Sequence, residues 1–183
     1  MTYYHLNDEQ RAYLQGVVRG KVVADLGCGD GSLAVSMVEM GAAVVHAVDK
    51  APARISRPGV VFHQAYFDRW RVPEGVQVAV VSWPHNSGLP GIPKLLRGIP
   101  DVVYLGKNTD GTTCGSRAMF SVLLHRNPVR YVPDSRNVMI HYGNESRPNP
   151  LLHHEEVAAI THASIYRYDP CADRKTTDEW RNP

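Results

Sequence analysis

A glycine-rich turn flanked by acidic residues is the part of this sequence best suited to chemistry. Residues 22–32 read VVADLGCGDGS, an apolar run followed by closely spaced glycines. A dinucleotide site brings a pyrophosphate against the following helix and needs G-x-G-x-x-G, whereas this loop has Ser32 where the last glycine would stand. Asp25 and Asp30 would repel a pyrophosphate and attract a cation. The loop therefore predicts a ligand that carries positive charge.

A second acidic position strengthens this prediction. Asp49 follows the apolar run 43–48, near the spacing at which an acidic residue takes the ribose hydroxyls in dinucleotide folds. One carboxylate can accept both hydroxyl protons. Glycines needed for steric reasons alone would not explain Asp25 and Asp49 together, so the pair predicts a cationic nucleoside ligand.

The stretch from Asp25 to Gly31, with Asp49 downstream, closely resembles the first motifs of class I S-adenosylmethionine-dependent methyltransferases. The resemblance implies S-adenosylmethionine as cofactor, with its ammonium held by Asp25 through water and its ribose held by Asp49. Cys28 is interpreted as a small residue that the turn tolerates. The residues implied to contact the cofactor are Asp25, Gly27, Cys28, Gly29, Gly31, Asp49, Lys50, Tyr66, Phe67, Asp68 and Ser82.

The third strand departs from the family pattern. Methyltransferases often place an acidic residue there for the adenine amino group, and this chain has Tyr66 at about that position. One interpretation gives the hydrogen bond to Asp68 and an aromatic contact with adenine to Tyr66 or Phe67. The other makes Phe67 a core residue and Asp68 a turn cap. Both stay open at this point.

The end of the fourth strand bears on the reaction type, because ligands gather at the carboxyl ends of strands in open α/β sheets. Amino-methyltransferases acting on DNA, RNA or glutamine carry Asp/Asn/Ser-Pro-Pro and an aromatic residue there. Ser82 and Pro84 match this pattern, while Trp83 replaces the first proline and His85 the aromatic residue. These four are the candidate catalytic residues, either orienting a planar nitrogen or, through His85, acting as general base. A locally bonded loop histidine is the alternative for His85.

Other polar positions carry weaker expectations. Residues after the fifth strand and at the end of the last one are expected to border the acceptor pocket: Lys107, Asn108, Asp110, His141 and Tyr142. Turn chemistry would also explain residues 108–111. The histidines and glutamates of 153–162 lack the H-x-x-x-H spacing, so we predict no metal site there.

The predicted elements alternate in the order of a doubly wound α/β fold. A capped helix is expected within 1–20, and strands are expected at 22–26, 42–48, 60–63, 76–82 and 101–105. A helix over 32–40, a helix over 116–125 stopped by Asn127-Pro128, and a hairpin at 129–132 and 137–142 complete the pattern. We expect three α/β/α layers around a mostly parallel seven-stranded sheet with a C-terminal antiparallel hairpin.

Composition bounds the class of protein. The chain has 183 residues, 43% of them hydrophobic, a net charge of +2 and a pI near 8.5, which neither requires nor excludes nucleic acid as a partner. Three cysteines without a C-x-x-C pair argue against a disulfide framework. The sequence shows neither a secretory leader nor an apolar run of membrane-spanning length. We expect one cytoplasmic domain over 1–183, with residues 144–183 as a C-terminal extension.

Three functions are compatible with these features. The first is methyl transfer from S-adenosylmethionine to an undetermined nitrogen or oxygen acceptor on a small molecule, nucleotide or protein side chain. The second is an inactive binding or scaffold domain of the same fold, motivated by Tyr66 and by the altered segment 82–85. The third is aminopropyl transfer from a decarboxylated cofactor.

Overall fold

A computed structural model describes residues 6–52, 56–84, 91–106, 119, 122–123, 126–134 and 137–143. Its helices are α1 (Asp8–Val18), α2 (Ser32–Glu39) and α3 (Ile92–Arg97). Its strands are β1 (Val22–Leu26), β2 (Val44–Asp49), β3 (Val60–Gln64), β4 (Val76–Ser82), β5 (Asp101–Gly106), β6 (Asn127–Pro133) and β7 (Val138–Gly143). No described helix is long and apolar enough to span a membrane.

The strands form one sheet in the order β3-β2-β1-β4-β5-β7-β6. The first five strands are parallel, and β7 runs antiparallel to both β5 and β6. The chain order reverses between β1 and β4, which is where ligands bind in open α/β sheets. The predicted fold class, with its C-terminal antiparallel hairpin, is confirmed.

Apolar side chains cover both faces of the sheet, which explains the continuous apolar runs of its central strands. On one face of the sheet, Val23 and the residues of neighbouring strands on the same face pack with the buried faces of α1 and α2. Ala24 and Leu26 pack on the opposite face with Trp70 and α3. The two layers fix the carboxyl ends of β1, β2 and β4 side by side.

Helix α1 begins at a capping box, as the sequence predicts. The Asn7 side chain accepts the Gln10 N–H at 2.8 Å, and Gln10 Oε1 accepts the Asn7 N–H at 3.3 Å. Gln10 is fully buried, and its Nε2 also donates to the Val132 carbonyl and to Asn137 Oδ1. One side chain therefore starts the helix and holds it against the hairpin.

The structure corrects one functional expectation and shifts the start of one strand. His141 and Tyr142 pair with Val103 and Val102 near the start of β5, because β7 runs antiparallel to it. They lie at the opposite end of the sheet from the glycine loop, so their predicted place beside an acceptor pocket is wrong. Strand β6 begins at Asn127, two residues before the predicted start at 129, which is compatible with the predicted helix stop at Asn127-Pro128.

His141 instead belongs to a polar network at this opposite end. Its Nδ1 lies 2.8 Å from the Tyr13 hydroxyl, and its Nε2 lies 3.2 Å from Asp101 Oδ1. Lys21 Nζ lies 3.1 Å from the other Asp101 oxygen. The network joins α1 to the starts of β1 and β5, so a structural role accounts for His141.

Candidate cofactor site

The glycine loop between β1 and α2 turns sharply against the end of β2. Gly27, Gly29 and Gly31 all have positive φ, at 82°, 55° and 79°. Side chains other than glycine rarely adopt this conformation. The N–H groups of Gly27 and Cys28 donate to the Val48 carbonyl at 2.9 and 3.1 Å. A Cβ on Gly29 would meet no atom of the described residues within 4 Å, so among these residues this part of the loop borders open space.

Asp49, at the end of β2, fixes the same loop. Its Oδ2 accepts the Gly29 N–H at 3.0 Å, and its Oδ1 accepts the Ala51 N–H at 2.9 Å. A carboxylate oxygen has more than one lone pair, so these bonds leave acceptor capacity for hydroxyl groups. The structure therefore brings Asp49 to the glycine loop, as the sequence predicts.

Asp25, near the end of β1, is the electrostatic anomaly of the site. Its side chain is fully buried, and neither carboxylate oxygen has a hydrogen-bond partner among the residues that the structure describes. Burial, then the nearby carboxylates of Asp49 and Asp30, raise its pKa to about 7. A buried carboxylate without partners is costly when charged. The ammonium of a cationic ligand would offset that cost, so these residues fit S-adenosylmethionine.

The two remaining polar residues of the loop have different environments. Burial, with Asp25 and Asp49 nearby, raises the pKa of the Cys28 thiol far above its ordinary value, so it stays protonated. This agrees with Cys28 as a small turn residue, since the thiolate is the reactive form. Asp30 Oδ1 accepts the Ser32 N–H at 3.0 Å. Slight burial opposes ionisation of the Asp30 carboxyl. Hydrogen bonds from the backbone and side chain of Ser32 outweigh this effect and lower the pKa of Asp30.

The segment after β3 brings one aromatic ring to the loop. Phe67 Cζ lies 3.9 Å from where a Cβ on Gly27 would stand, and part of the Phe67 ring packs on the core beside α3. Tyr66 is 61% exposed, and Asp68 is also exposed. Phe67 therefore packs on the core and also lies beside the glycine loop, and its contact with adenine stays a prediction. Lys50 is exposed, and its carbonyl accepts Gln64 Nε2 at 3.4 Å.

The end of β4 holds the described candidate catalytic residues. Ser82 is half-buried, and Pro84 is buried. Trp83 has a φ of +47°, which is a strained backbone conformation for a residue with a bulky side chain. Its backbone N–H donates to the Leu105 carbonyl at 2.7 Å. Its indole packs on the core, and Nε1 is buried without a partner among the described residues. His85 lies outside the described residues, as do Lys107, Asn108 and Asp110.

Helix α3 begins against the segment after β3. Helix α3 was not predicted, although Gly91, Pro93 and an apolar run signal its start. A Cβ on Gly91 would come within 2.5 Å of the Asp68 backbone nitrogen. Only a glycine therefore allows α3 to approach the segment after β3.

The sheet order, the helices on both faces and the glycine loop at the β1/β4 switch point define a Rossmann-like fold of the class I methyltransferase type. No protein-family model and no curated protein matches the sequence. Solved structures do match the fold, and several of them are methyltransferases.

Three methyltransferase structures illustrate how far the likeness extends. The N-methyltransferase NodS from Bradyrhizobium japonicum WM9, in complex with S-adenosylhomocysteine, has 14% identity and a TM-score of 0.56 over 74% of this chain and 86% of its own. TrmK from M. capricolum, also in complex with S-adenosylhomocysteine, has 10% identity and a TM-score of 0.51 over 84% and 75%. Ribosomal protein L11 methylase from Lactobacillus delbrueckii subsp. bulgaricus has 17% identity and a TM-score of 0.52 over 79% and 81%. At these identities the likeness concerns the fold.

Proposed function

We propose that this protein is an S-adenosylmethionine-dependent methyltransferase. The observation that carries the proposal is the buried carboxylate of Asp25, which has no hydrogen-bond partner among the described residues and lies next to a glycine loop that Asp49 fixes. This arrangement suits a ligand with both a cation and a ribose. The fold neighbours that hold S-adenosylhomocysteine support the choice of ligand.

Each of these residues would contact a different part of the cofactor. Asp25 would stabilise the ammonium, directly or through water, and Asp49 would accept hydrogen bonds from the ribose hydroxyls. Gly29, whose Cβ position has no described residue within 4 Å, would let the cofactor approach the backbone. Phe67, beside Gly27, would offer an apolar surface to the adenine. Bound cofactor would supply an electrophilic methyl group on its sulfonium.

The acceptor would meet that methyl group at the end of β4. Ser82 is the last residue of β4, and Trp83, which follows it, has a strained backbone with positive φ. The acceptor class is a nitrogen or oxygen nucleophile. Positioning it in line with the methyl supplies much of the acceleration, and a base is needed only where the acceptor carries a proton.

Titration calorimetry with S-adenosylhomocysteine tests cofactor binding. We expect saturable binding by the wild type and at least a tenfold loss of affinity in Asp49→Ala, because both the ribose contacts and the bond to Gly29 disappear. Asp49→Asn should lose less, since its amide oxygen still accepts one N–H. Glu74→Ala, which removes an exposed carboxylate at the other end of the sheet, is the matched control. Absence of binding by the wild type would reject the proposal.

Two further measurements separate methyl transfer from its alternatives. Transfer of a radiolabelled methyl group to any acceptor in a screen of nucleotides, small molecules and proteins would reject a scaffold that only binds. Tighter binding of decarboxylated S-adenosylmethionine than of the intact cofactor would favour aminopropyl transfer instead. We expect the intact cofactor to bind more tightly.

A further inference from the structure

Two histidines form a close pair on β2 and β3, the two outer strands at one edge of the sheet. His46 Nδ1 on β2 lies 3.0 Å from His63 Nε2 on β3. His63 is opposite Val48 in the strand register, so the two histidines are diagonal neighbours on one sheet face. We propose that His46 and His63 bind one divalent transition-metal ion of the Cu²⁺, Ni²⁺ or Zn²⁺ group.

The separation of the two ring nitrogens supports this proposal. Imidazole nitrogens bind such ions at about 2.0–2.1 Å. At angles between square and tetrahedral, two nitrogens on one ion then lie roughly 2.9–3.4 Å apart by trigonometry. The observed 3.0 Å falls in that interval. An ion can therefore replace the proton that the two rings share after a modest rotation of each ring.

The charge state of the pair also suits a metal. Burial lowers the pKa of both imidazoles, and for His46 the neighbouring His63 lowers it further. Both rings are therefore neutral near pH 7, which is the form that binds metals. Among the described residues, no group of three or more histidine, cysteine, aspartate or glutamate side chains converges on a metal position. Water would complete the coordination, and imidazole favours Cu²⁺ over Ni²⁺ and Zn²⁺.

The surroundings provide an entry path and a reporter. Strand β3 is at the edge of the sheet, and both histidines are half-buried, so an ion can reach them from solvent. The buried ring of Trp70 has its centroid 5.7 Å from that of His63. A paramagnetic ion bound to the pair would quench Trp70 fluorescence. The ion would also bridge the edge strand β3 and strand β2, and β2 ends at Asp49.

The test is metal titration of the full-length, chelator-treated protein, followed by tryptophan fluorescence and calorimetry. We expect saturable quenching by Cu²⁺ and by Ni²⁺, competition by Zn²⁺, and one ion bound per chain at this site. His46→Gln and His63→Gln should each weaken that binding at least tenfold. His141→Gln, which alters a histidine in the network with Tyr13 and Asp101, should leave it unchanged. Trp70→Phe should remove most of the quenching and keep the calorimetric stoichiometry.

Wild-type affinity in both glutamine variants would overturn the proposal, as would quenching that persists in Trp70→Phe with the same amplitude. Circular dichroism establishes that each variant is folded, and His63→Asn replaces His63→Gln if the latter unfolds. The measurement does not involve S-adenosylmethionine, so its failure would leave the proposed methyl transfer untouched.

Discussion

At the scale of single residues, Asp25 would link the charge of the proposed cofactor to the folding stability of the protein. The side chain is fully buried in a site that also contains Asp30 and Asp49. Its raised pKa means that the folded, cofactor-free protein holds a proton that the unfolded chain releases at lower pH. Stability contributed by this group is present below the unfolded pKa and is lost as the pH rises through about 7. Under the proposed function, the site would lose stability in the cofactor-free state and gain affinity for a cationic ligand.

We expect Asp25→Asn to stabilise the cofactor-free protein relative to wild type more at pH 8 than at pH 5. The gain should be roughly 1–3 kcal/mol at pH 8, because the variant avoids a buried charge but keeps a buried amide. Urea denaturation at the two pH values measures it. The same variant should bind S-adenosylmethionine at least tenfold more weakly.

Asp30→Asn is the contrast for this prediction. Its carboxylate is stabilised in the folded state by bonds to Ser32, and these lower its pKa. The substitution should give no stabilisation at pH 8. An Asp25→Asn variant that gains nothing between pH 5 and pH 8 would show that the buried carboxylate has another partner.

At the scale of elements, Gln10 couples the start of a helix to a distant hairpin. Its amide closes the capping box with Asn7 and reaches Val132 and Asn137, more than a hundred residues along the chain. The Asn-x-x-Gln pattern predicts the cap, because the cap is local. The contact with the hairpin depends on which strand the sheet places beneath α1.

We expect Gln10→Ala to lower the free energy of unfolding by roughly 2–3 kcal/mol, since it removes buried hydrogen bonds at both places. Gln15→Ala, in the same helix, should cost less than about 0.5 kcal/mol, because alanine favours the helix and Gln15 is only half-buried. Chemical denaturation compares the two variants. Equal effects would mean that the bonds of Gln10 contribute little.

At the scale of the whole molecule, the proposed cofactor would join elements that meet only at one edge of the sheet. The glycine loop, the end of β2 and the segment after β3 come together there through Asp49 and Phe67. A ligand that binds only the folded state stabilises the whole domain by mass action.

S-adenosylhomocysteine at about one hundred times its dissociation constant should stabilise the protein by roughly 2.7 kcal/mol. For a domain of this size the melting temperature should then rise by about 5–11 °C. Thermal denaturation followed by circular dichroism measures the shift. Asp49→Ala at the same ligand concentration should show a much smaller one, and an equal shift would place the ligand elsewhere.

The sequence by itself determined the fold class and the glycine loop with its two carboxylates, because both follow from local patterns. Continuous apolar runs mark strands covered on both faces, and closely spaced glycines after a strand permit the positive φ angles of a sharp turn. The tertiary structure decided which residues share an end of the sheet. His141 and Tyr142 looked like pocket residues until the antiparallel direction of β7 placed them at the far end. His46 and His63 became neighbours only through the register of β2 and β3. Strand direction and register depend on contacts between distant parts of the chain, and no local pattern encodes those contacts.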